Sequence, residues 1–184
     1  VHAAGAASDG RAIVLSGPTG SGKSTLALAL ARHGLDFMGD DMLFATRSDG
    51  GLRLHAFPEE VDVSPESAAW FDELAGLTGA PPAGWPKHRV HVDEAFGSRF
   101  ATMATVAALV FPAIAHSGET TLEPMRAADA LVELGPNVLL TDAVMAQRHL
   151  DVLGELARSA PAYRLAVGQD LARAADVLSG LIRP

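Results

Sequence analysis

The sequence predicts an α/β fold in which helices flank a mixed β-sheet, as a single domain over residues 1–184. Short apolar runs typical of buried strands alternate with segments rich in strong helix formers. A glycine-rich loop joins an early apolar run directly to a helical segment. Farther along, a turn signal between two strand-like runs adds a hairpin, so we expect a mixed sheet rather than a wholly parallel one. The chain is long enough for one domain with a full hydrophobic core.

The first half of the chain is expected to supply two strands, two helices and a hairpin. The run AIVLSG is continuously apolar and ends in glycine, which indicates a strand buried on both faces. Gly34 is the expected C-terminal cap of the first helix, and Ser64 and Pro65 are expected to open the second. The predicted elements are strands at 12–17 and 35–38, helices at 24–32 and 64–77, and a hairpin at 42–57 that turns at Asp49-Gly50-Gly51.

Proline and glycine mark a predicted loop and a predicted strand end in the second half of the chain. Residues 79–86 are dense in both and are expected to form a loop. Pro112 is expected to end the strongly apolar strand before it, because proline cannot donate a ladder hydrogen bond. The remaining predicted elements are strands at 89–96, 106–111, 121–123 and 163–167, and helices at 126–134, 142–158 and 171–182.

Composition narrows the classes of function. The net charge is −8 and the arginines are scattered, so no basic stripe suggests a nucleic-acid partner. No window resembles a membrane span, and no charged-then-apolar leader is visible, so we expect no membrane association. Cysteine is absent, which excludes disulfides and thiolate metal sites and fits a cytoplasmic protein. Only two lysines occur, Lys23 and Lys87.

The segment GPTGSGKS satisfies the phosphate-binding pattern G-x-x-x-x-G-K-[ST], and it lies between a predicted strand and a predicted helix. Its glycines allow backbone N–H groups to point at phosphate oxygens, next to the positive end of the helix. Lys23 is expected to reach the β and γ phosphates of ATP, and the Ser24 hydroxyl to bind Mg²⁺. The predicted nucleotide-binding residues are Gly17, Pro18, Thr19, Gly20, Ser21, Gly22, Lys23, Ser24 and Thr25.

Two adjacent acids, Asp40 and Asp41, follow the next predicted strand, only 17 residues after Lys23. The C-terminal end of that strand is expected to lie beside the phosphate loop. At a turn next to Gly39, both side chains are expected to reach the site. Phosphoryl transfer needs metal charge on the phosphate and an oriented, partly deprotonated acceptor. An acid pair supplies both groups from one turn.

The stretch GPTGSGKSTLALALARHGLDFMGDD resembles the catalytic core of the HPr kinase/phosphorylase family, which shares the PEP carboxykinase-like P-loop fold. The preceding VHAAGAASDGRAIVLSG resembles that family's segment before the loop, in which a histidine begins a strand of a hairpin. The clear resemblance covers residues 2–44. The FP pairs and the segment YRLAVGQDL are similar to HPr-kinase-related proteins of peptide-modification clusters, including kinases of lasso-peptide precursors.

The resemblance implies a kinase that uses ATP and Mg²⁺ to phosphorylate a serine hydroxyl, with a peptide or small protein as partner and a homo-oligomeric state. By position, Asp40 would be the base that faces the acceptor, Asp41 the metal ligand with Ser24, and His2 a group supporting the base. The family's Arg-Gly-Leu-Gly signature is absent, so the phosphorylase reaction and HPr itself are not expected.

Other assignments stay open at this level. An additional cation usually balances charge on the transferred phosphoryl group, and among Lys87, Arg89, Arg99 and Arg126 we prefer Arg89. Residues 137–142 (NVLLTD) resemble the strand and acid of an ordinary P-loop ATPase, although Asp142 is as easily a helix cap. The alternative functions are therefore an ATPase with water as acceptor, or a nucleotide-dependent regulatory module.

Overall fold

The computed structural model describes residues 1–57, 59–77, 84–115, 118–137 and 143–182. In this part of the chain no helix is both long and apolar enough to cross a bilayer. The strands are β1 (Ala3–Ser8), β2 (Arg11–Ser16), β3 (Asp36–Gly39), β4 (Phe44–Ser48), β5 (Gly51–His55), β6 (Val61–Val63), β7 (His88–Val90), β8 (Met103–Ile114), β9 (Thr121–Met125) and β10 (Ala162–Val167).

The helices follow the predicted order, with one addition. They are α1 (Lys23–Arg32), α2 (Pro65–Ala68), α3 (Val92–Phe96), α4 (Ala127–Leu134), α5 (Ala143–Ser159) and α6 (Leu171–Ser179). Short 3₁₀ helices occupy Asp72–Leu77 and Gly135–Asn137.

The main sheet is mixed, as predicted, with the order β3-β1-β2-β8-β10-β9. Strands β2, β8 and β10 are parallel, whereas β1 runs antiparallel to both of its neighbours and β9 runs antiparallel to β10. The β4–β5 hairpin joins the sheet through β5, which pairs with the beginning of β8. Strands β6 and β7 form a separate antiparallel ribbon.

Helices cover both faces of this sheet. One face packs against α1 and α6 through buried residues such as Leu28 and Leu178. The other face packs against α4 and α5 through residues such as Leu134 and Leu156. All four of these leucines are fully buried, so the sheet is the central layer of a three-layer core.

The strand directions decide what meets at one edge of the sheet. Because β1 runs opposite to β2 and β3, its beginning lies where those two strands end. That edge therefore collects His2, the loop after β2 and the acid pair after β3. The sequence analysis expected the acid pair to lie beside the loop, and the topology confirms that placement.

Two predicted elements differ from the structure. The helix predicted at 64–77 ends at Ala68, and a 3₁₀ helix follows only at Asp72–Leu77. Its buried Leu74 donates a backbone hydrogen bond to the carbonyl oxygen of the buried Phe71, three residues earlier, which is the spacing of a 3₁₀ turn. The strand predicted at 89–96 stops at Val90 and gives way to helix α3. Asp93 and Glu94 favour the first turn of that helix, which ends at Gly97 with φ of 65°.

Two prolines lie inside strands rather than at their ends. Leu109 of β8 and Ala115, the residue after β8, donate hydrogen bonds on the β10 side, so the intervening Pro112 faces the β2 side. The β2 register ends earlier, with the pair Leu15 and Val110, so no ladder bond is lost at Pro112. Pro124 lies in β9, an edge strand, where the missing donor is also tolerated.

Gly168 provides a test of the packing at the end of β10. A Cβ atom at this position would lie 2.5 Å from the Gly118 carbonyl oxygen and 2.9 Å from the Thr120 nitrogen. We expect Gly168→Ala to destabilise the protein by about 2 kcal/mol, which corresponds to a drop in Tm of about 4–8 °C. Gly135→Ala is the control, because a Cβ there meets nothing within 4 Å and its φ of −51° suits any residue. Equal Tm values for the two variants would contradict the packing described here.

Candidate functional site

The loop after β2 curls so that its backbone donors face a cleft. Gly20 and Gly22 have φ of 83° and 94°, which side-chain-bearing residues rarely adopt. Gly22 is the N-cap of α1 and brings no side chain to cap it. The first N–H groups of α1 therefore remain available for an anion, and the helix dipole favours negative charge at this end.

Lys23 is held inside the loop. Its Nζ donates hydrogen bonds to the carbonyl oxygens of Gly17 at 2.8 Å and Pro18 at 3.0 Å, and the residue is only 6% exposed. Burial lowers the pKa of Lys23, and the negative charges of Asp40 and Asp41 oppose that effect. The ammonium group is thus oriented by the loop and attracted by the acid pair.

The two acids follow Gly39, whose φ of 137° turns the chain at the end of β3. Both line the cleft, but they differ in environment, because Asp40 is half-buried and the Asp41 side chain is 71% exposed. Burial is the main cause that raises the pKa of Asp40. The Ser24 hydroxyl and Lys87 lower this pKa, while Asp41 and Asp62 raise it further. Asp40 therefore faces Ser24, the residue predicted to bind metal.

The raised pKa of Asp40 has a consequence for stability. Because the folded state favours protonated Asp40, protonation of this residue stabilises the fold. This stabilisation is fully present below the ordinary pKa of 3.8 and is lost as pH rises through the folded pKa. Above the folded pKa the Asp40 carboxylate is charged at a cost. We expect Asp40→Asn to raise Tm at pH 7 but not at pH 3, as measured by thermal unfolding. A lower Tm at pH 7 would show that the charge is stabilising.

His2 lies beside the second acid rather than the first. Its Nε2 is 3.0 Å from Oδ1 of Asp41, and its backbone nitrogen donates to the carbonyl oxygen of Asn137 at 2.6 Å. The sequence analysis expected His2 to support Asp40 as the base. In the structure the direct partner of the imidazole is Asp41, so any support for Asp40 passes through its neighbour.

The cleft measures about 670 Å³, and residues in and around the β6–β7 ribbon form the part of its lining that comes from neither the loop, the acid pair nor α1. We call this the ribbon wall, and sequence reasoning did not assign a role to most of it. Glu59 shows its closeness to the acid pair, because burial and then Asp40 and Asp41 raise the pKa of its carboxyl. The residues of the ribbon wall that line the cleft are Glu59, Glu60, Asp62, Val63, Ser64, Ser67, Trp85 and Lys87.

Three hydroxyl groups join the ribbon wall to the phosphate loop. Thr25 donates from Oγ1 to Oγ of Ser67 at 3.1 Å, and Ser64 donates to the same oxygen at 3.2 Å. Ser64 also caps α2, as predicted, by accepting from the Ser67 nitrogen at 3.2 Å. The wall is therefore fixed relative to the first turn of α1.

Arg89, the preferred cation in the sequence analysis, does not line this cleft. Its guanidinium lies 3.6 Å from Glu60 and 3.8 Å from Asp62, and it sits over the Trp85 ring at 5.9 Å from the centroid. The side chain is 62% exposed. Arg89 therefore balances two acids of the ribbon wall, and Lys87 is the ribbon cation that borders the cleft.

The rival ATPase-type acid at Asp142 lies outside the described residues, as do Val138 to Thr141 and residues 79–83 of the predicted loop. A groove of about 720 Å³ between α1 and α6 is slightly larger than the cleft, but it contains no residue of the phosphate loop. The cleft is the better candidate site, because it combines backbone anion donors with a buried lysine and perturbed carboxyl groups.

The side chains of the cleft fit ATP with Mg²⁺. Magnesium prefers oxygen ligands and is commonly held by one or two carboxylates together with substrate phosphates. Ser24, Asp40 and Asp41 offer hard oxygen donors at the mouth of a loop built for phosphate. Among the described residues, no group of three or more histidines and acids is arranged to hold a metal by itself.

Fold and cleft together define an α/β protein with a kinase-like P-loop fold. The structure of the Hpr(Ser) kinase/phosphatase from Coxiella burnetii is similar, with a TM-score of 0.54 and 14% sequence identity over 98% of this chain and 86% of that one. This similarity confirms the expected HPr kinase-like fold and does not extend to the lasso-peptide relatives. No protein-family model matches the chain, and no curated protein sequence matches it.

Proposed function

We propose that the protein is an ATP-dependent kinase that transfers the γ-phosphate to a serine hydroxyl of a peptide or small protein. The observation that carries this proposal is the position of the acid pair, which faces both the phosphate loop and the open part of the cleft. A P-loop by itself indicates a bound nucleotide and leaves the reaction open. The acids add a group that can receive a proton from an incoming hydroxyl.

In the proposed reaction, the loop N–H groups and Lys23 bind the β and γ phosphates. Asp40 accepts the proton of the acceptor hydroxyl, and its pKa, raised mainly by burial, suits it to that role better than an ordinary aspartate. Asp41, held by His2, is the proposed metal ligand together with Ser24. Bound magnesium would neutralise charge on the β and γ phosphates.

The residues divide between two sides of the reaction. The loop and α1 bind the donor, whereas the ribbon wall borders the space through which an acceptor must enter. The proposal includes no phosphorylase activity, because the family signature associated with it is absent from the sequence. We also propose a homo-oligomer, on the family resemblance, to be tested by light scattering.

The test is a transfer assay with γ-labelled ATP and serine-containing peptides, read by mass spectrometry of the acceptor. Labelled phosphoserine on a peptide supports the kinase. Label that appears only as inorganic phosphate would identify an ATPase with water as acceptor and overturn the proposal. Binding of MgATP without turnover would indicate a regulatory nucleotide module. Replacing each acceptor serine by alanine provides the control for the modified position.

A further inference from the structure

The chain has only two lysines, and both line the same cleft. Lys23 belongs to the phosphate loop, whereas Lys87 directly precedes β7 on the ribbon wall. The two lysines therefore reach the cleft from different elements of the fold. Every other cation in the sequence is an arginine or a histidine, and of those that the structure describes only His2 lines the cleft.

The backbone that carries Lys87 is well anchored. The next residue, His88, pairs with Val63 across the ribbon, and Val90 pairs with Val61. Val61, Val63 and Val90 are all buried in the core. The contact between Ser67 and Thr25 further fixes the wall to α1. The base of the Lys87 side chain thus has a defined position relative to the loop, while its exposed stem lets the ammonium group adjust.

The charge of Lys87 is directed at the cleft rather than neutralised on the wall. Among the described residues it forms no ion pair, whereas Arg89, two positions along, contacts both Glu60 and Asp62. Lys87 also lowers the pKa of Asp40, as expected for a cation that lines the same cleft as this carboxyl group. It is thus a cation that lines the cleft in which phosphoryl transfer is proposed.

We propose that Lys87 is a further catalytic residue, which contacts the transferring phosphoryl group from the ribbon wall, whereas Lys23 contacts it from the phosphate loop. The inference rests on the proposed kinase function. In the step itself, the acceptor oxygen forms a bond to the γ phosphorus and the bond from that phosphorus to the β–γ bridging oxygen breaks. The acceptor proton goes to Asp40, and Lys87 keeps its own proton. Its charge offsets the negative charge of the equatorial oxygens, which is largest in the transition state.

The test compares binding of two probes, MgADP alone and MgADP with aluminium fluoride, which mimics the phosphoryl group during transfer. Loss of one donor to a transition-state charge typically costs about 10²–10³-fold. For Lys87→Met we expect affinity for the aluminium fluoride complex to fall by at least about 30-fold, and affinity for MgADP by less than about threefold. Lys87→Arg keeps the charge and is expected to recover at least about tenfold of the loss.

Two arginine variants complete the test. Arg126→Met removes one exposed positive charge from the start of α4, away from the cleft, and is expected to change neither affinity. Arg89→Met addresses the rival cation. A selective loss in Arg89→Met with none in Lys87→Met would transfer the role to Arg89 and overturn the proposal. If Lys87→Met loses affinity for both probes equally, Lys87 attracts the nucleotide in general rather than the transferring phosphoryl group. This result would also overturn the proposal.

The controls separate this inference from the proposed function. If the unaltered protein binds MgADP and its aluminium fluoride complex, and Lys87→Met binds both as well as the unaltered protein does, only the assignment of Lys87 fails. If the unaltered protein binds neither probe, the nucleotide site itself is wrong and both proposals fall.

Discussion

Replacement of Asp40 by asparagine is expected to lower the rate of phosphoryl transfer by about 10²–10⁴-fold, the usual contribution of a general base. The amide has nearly the same shape as the carboxyl group but cannot accept the acceptor proton. Affinity for ATP should change by less than about threefold, because the loop and Lys23 are untouched. Single-turnover transfer from γ-labelled ATP and equilibrium titration with ATP measure the two effects.

The pH dependence of phosphoryl transfer by the unaltered protein is a second test of Asp40 as the base. The base must be deprotonated, so transfer is expected to fall as pH drops through the raised pKa of Asp40, at a pH above its ordinary value of 3.8. This fall in the transfer rate at acidic pH, the acid limb of the pH profile, should be absent from the residual activity of Asp40→Asn. An unchanged limb in the variant would show that another group controls it.

Asp41 and Asp93 supply the matched comparisons for Asp40. Asp41→Asn removes the proposed metal ligand and is expected to raise the Mg²⁺ concentration needed for half-maximal transfer. Asp93→Asn changes an exposed acid of α3 and should leave transfer and Mg²⁺ dependence unchanged. If Asp40→Asn shifts the Mg²⁺ requirement and Asp41→Asn removes the acid limb, the two roles are exchanged. Full turnover in Asp40→Asn would refute its assignment as the base.

Replacement of Lys23 by methionine is expected to weaken MgATP binding by about 10²-fold or more. The variant keeps most of the side-chain volume but loses the ammonium group that the loop holds between two carbonyl oxygens. A charge-assisted contact in a half-enclosed site contributes about 1.5–3 kcal/mol, and Lys23 is expected to make contacts to two phosphates. Titration with a fluorescent ATP analogue measures the loss, and a thermal scan verifies folding.

Lys23→Arg distinguishes geometry from charge. The planar guanidinium of arginine is larger than an ammonium group and does not fit this position, where Lys23 is only 6% exposed. We therefore expect Lys23→Arg to recover little of the lost MgATP affinity. Arg126→Met again serves as the distant control. Unchanged MgATP affinity in Lys23→Met would mean that nucleotide binds elsewhere, and the proposed donor side of the cleft would be wrong.

The phosphate loop and its surroundings could be predicted because the signals there are local. The loop pattern fixes its own backbone, and β2 and α1 follow from apolar and helix-forming runs on either side. The placement of Asp40 and Asp41 also followed, since the strand before them is next in sequence. Their separate roles remain predictions, because both acids reach the cleft and differ mainly in burial.

The ribbon wall could not be predicted because its position depends on pairing between distant segments. Val61 and Val90 pair across 29 residues, and neither sequence segment indicates the other. Arg89 and Lys87 are two residues apart, so sequence spacing could not show which would face the cleft. The prediction that Pro112 ends its strand was wrong for a related reason. Whether a proline is tolerated inside β8 depends on where the neighbouring strand β2 ends.

Elements of the main sheet form one part of the cleft and the ribbon wall forms another, and this division has a consequence for acceptor specificity. Residues proposed to hold the nucleotide come from the loop, the turn after β3 and α1, whereas Glu59 and Glu60 of the ribbon wall belong to a segment that contributes no strand to the main sheet. Substitutions at these two exposed positions can therefore alter the charge presented to an incoming acceptor without moving the groups that hold the donor. In the proposed kinase, acceptor choice is therefore separable from phosphate chemistry, and it can be redesigned while the proposed nucleotide-binding residues stay constant.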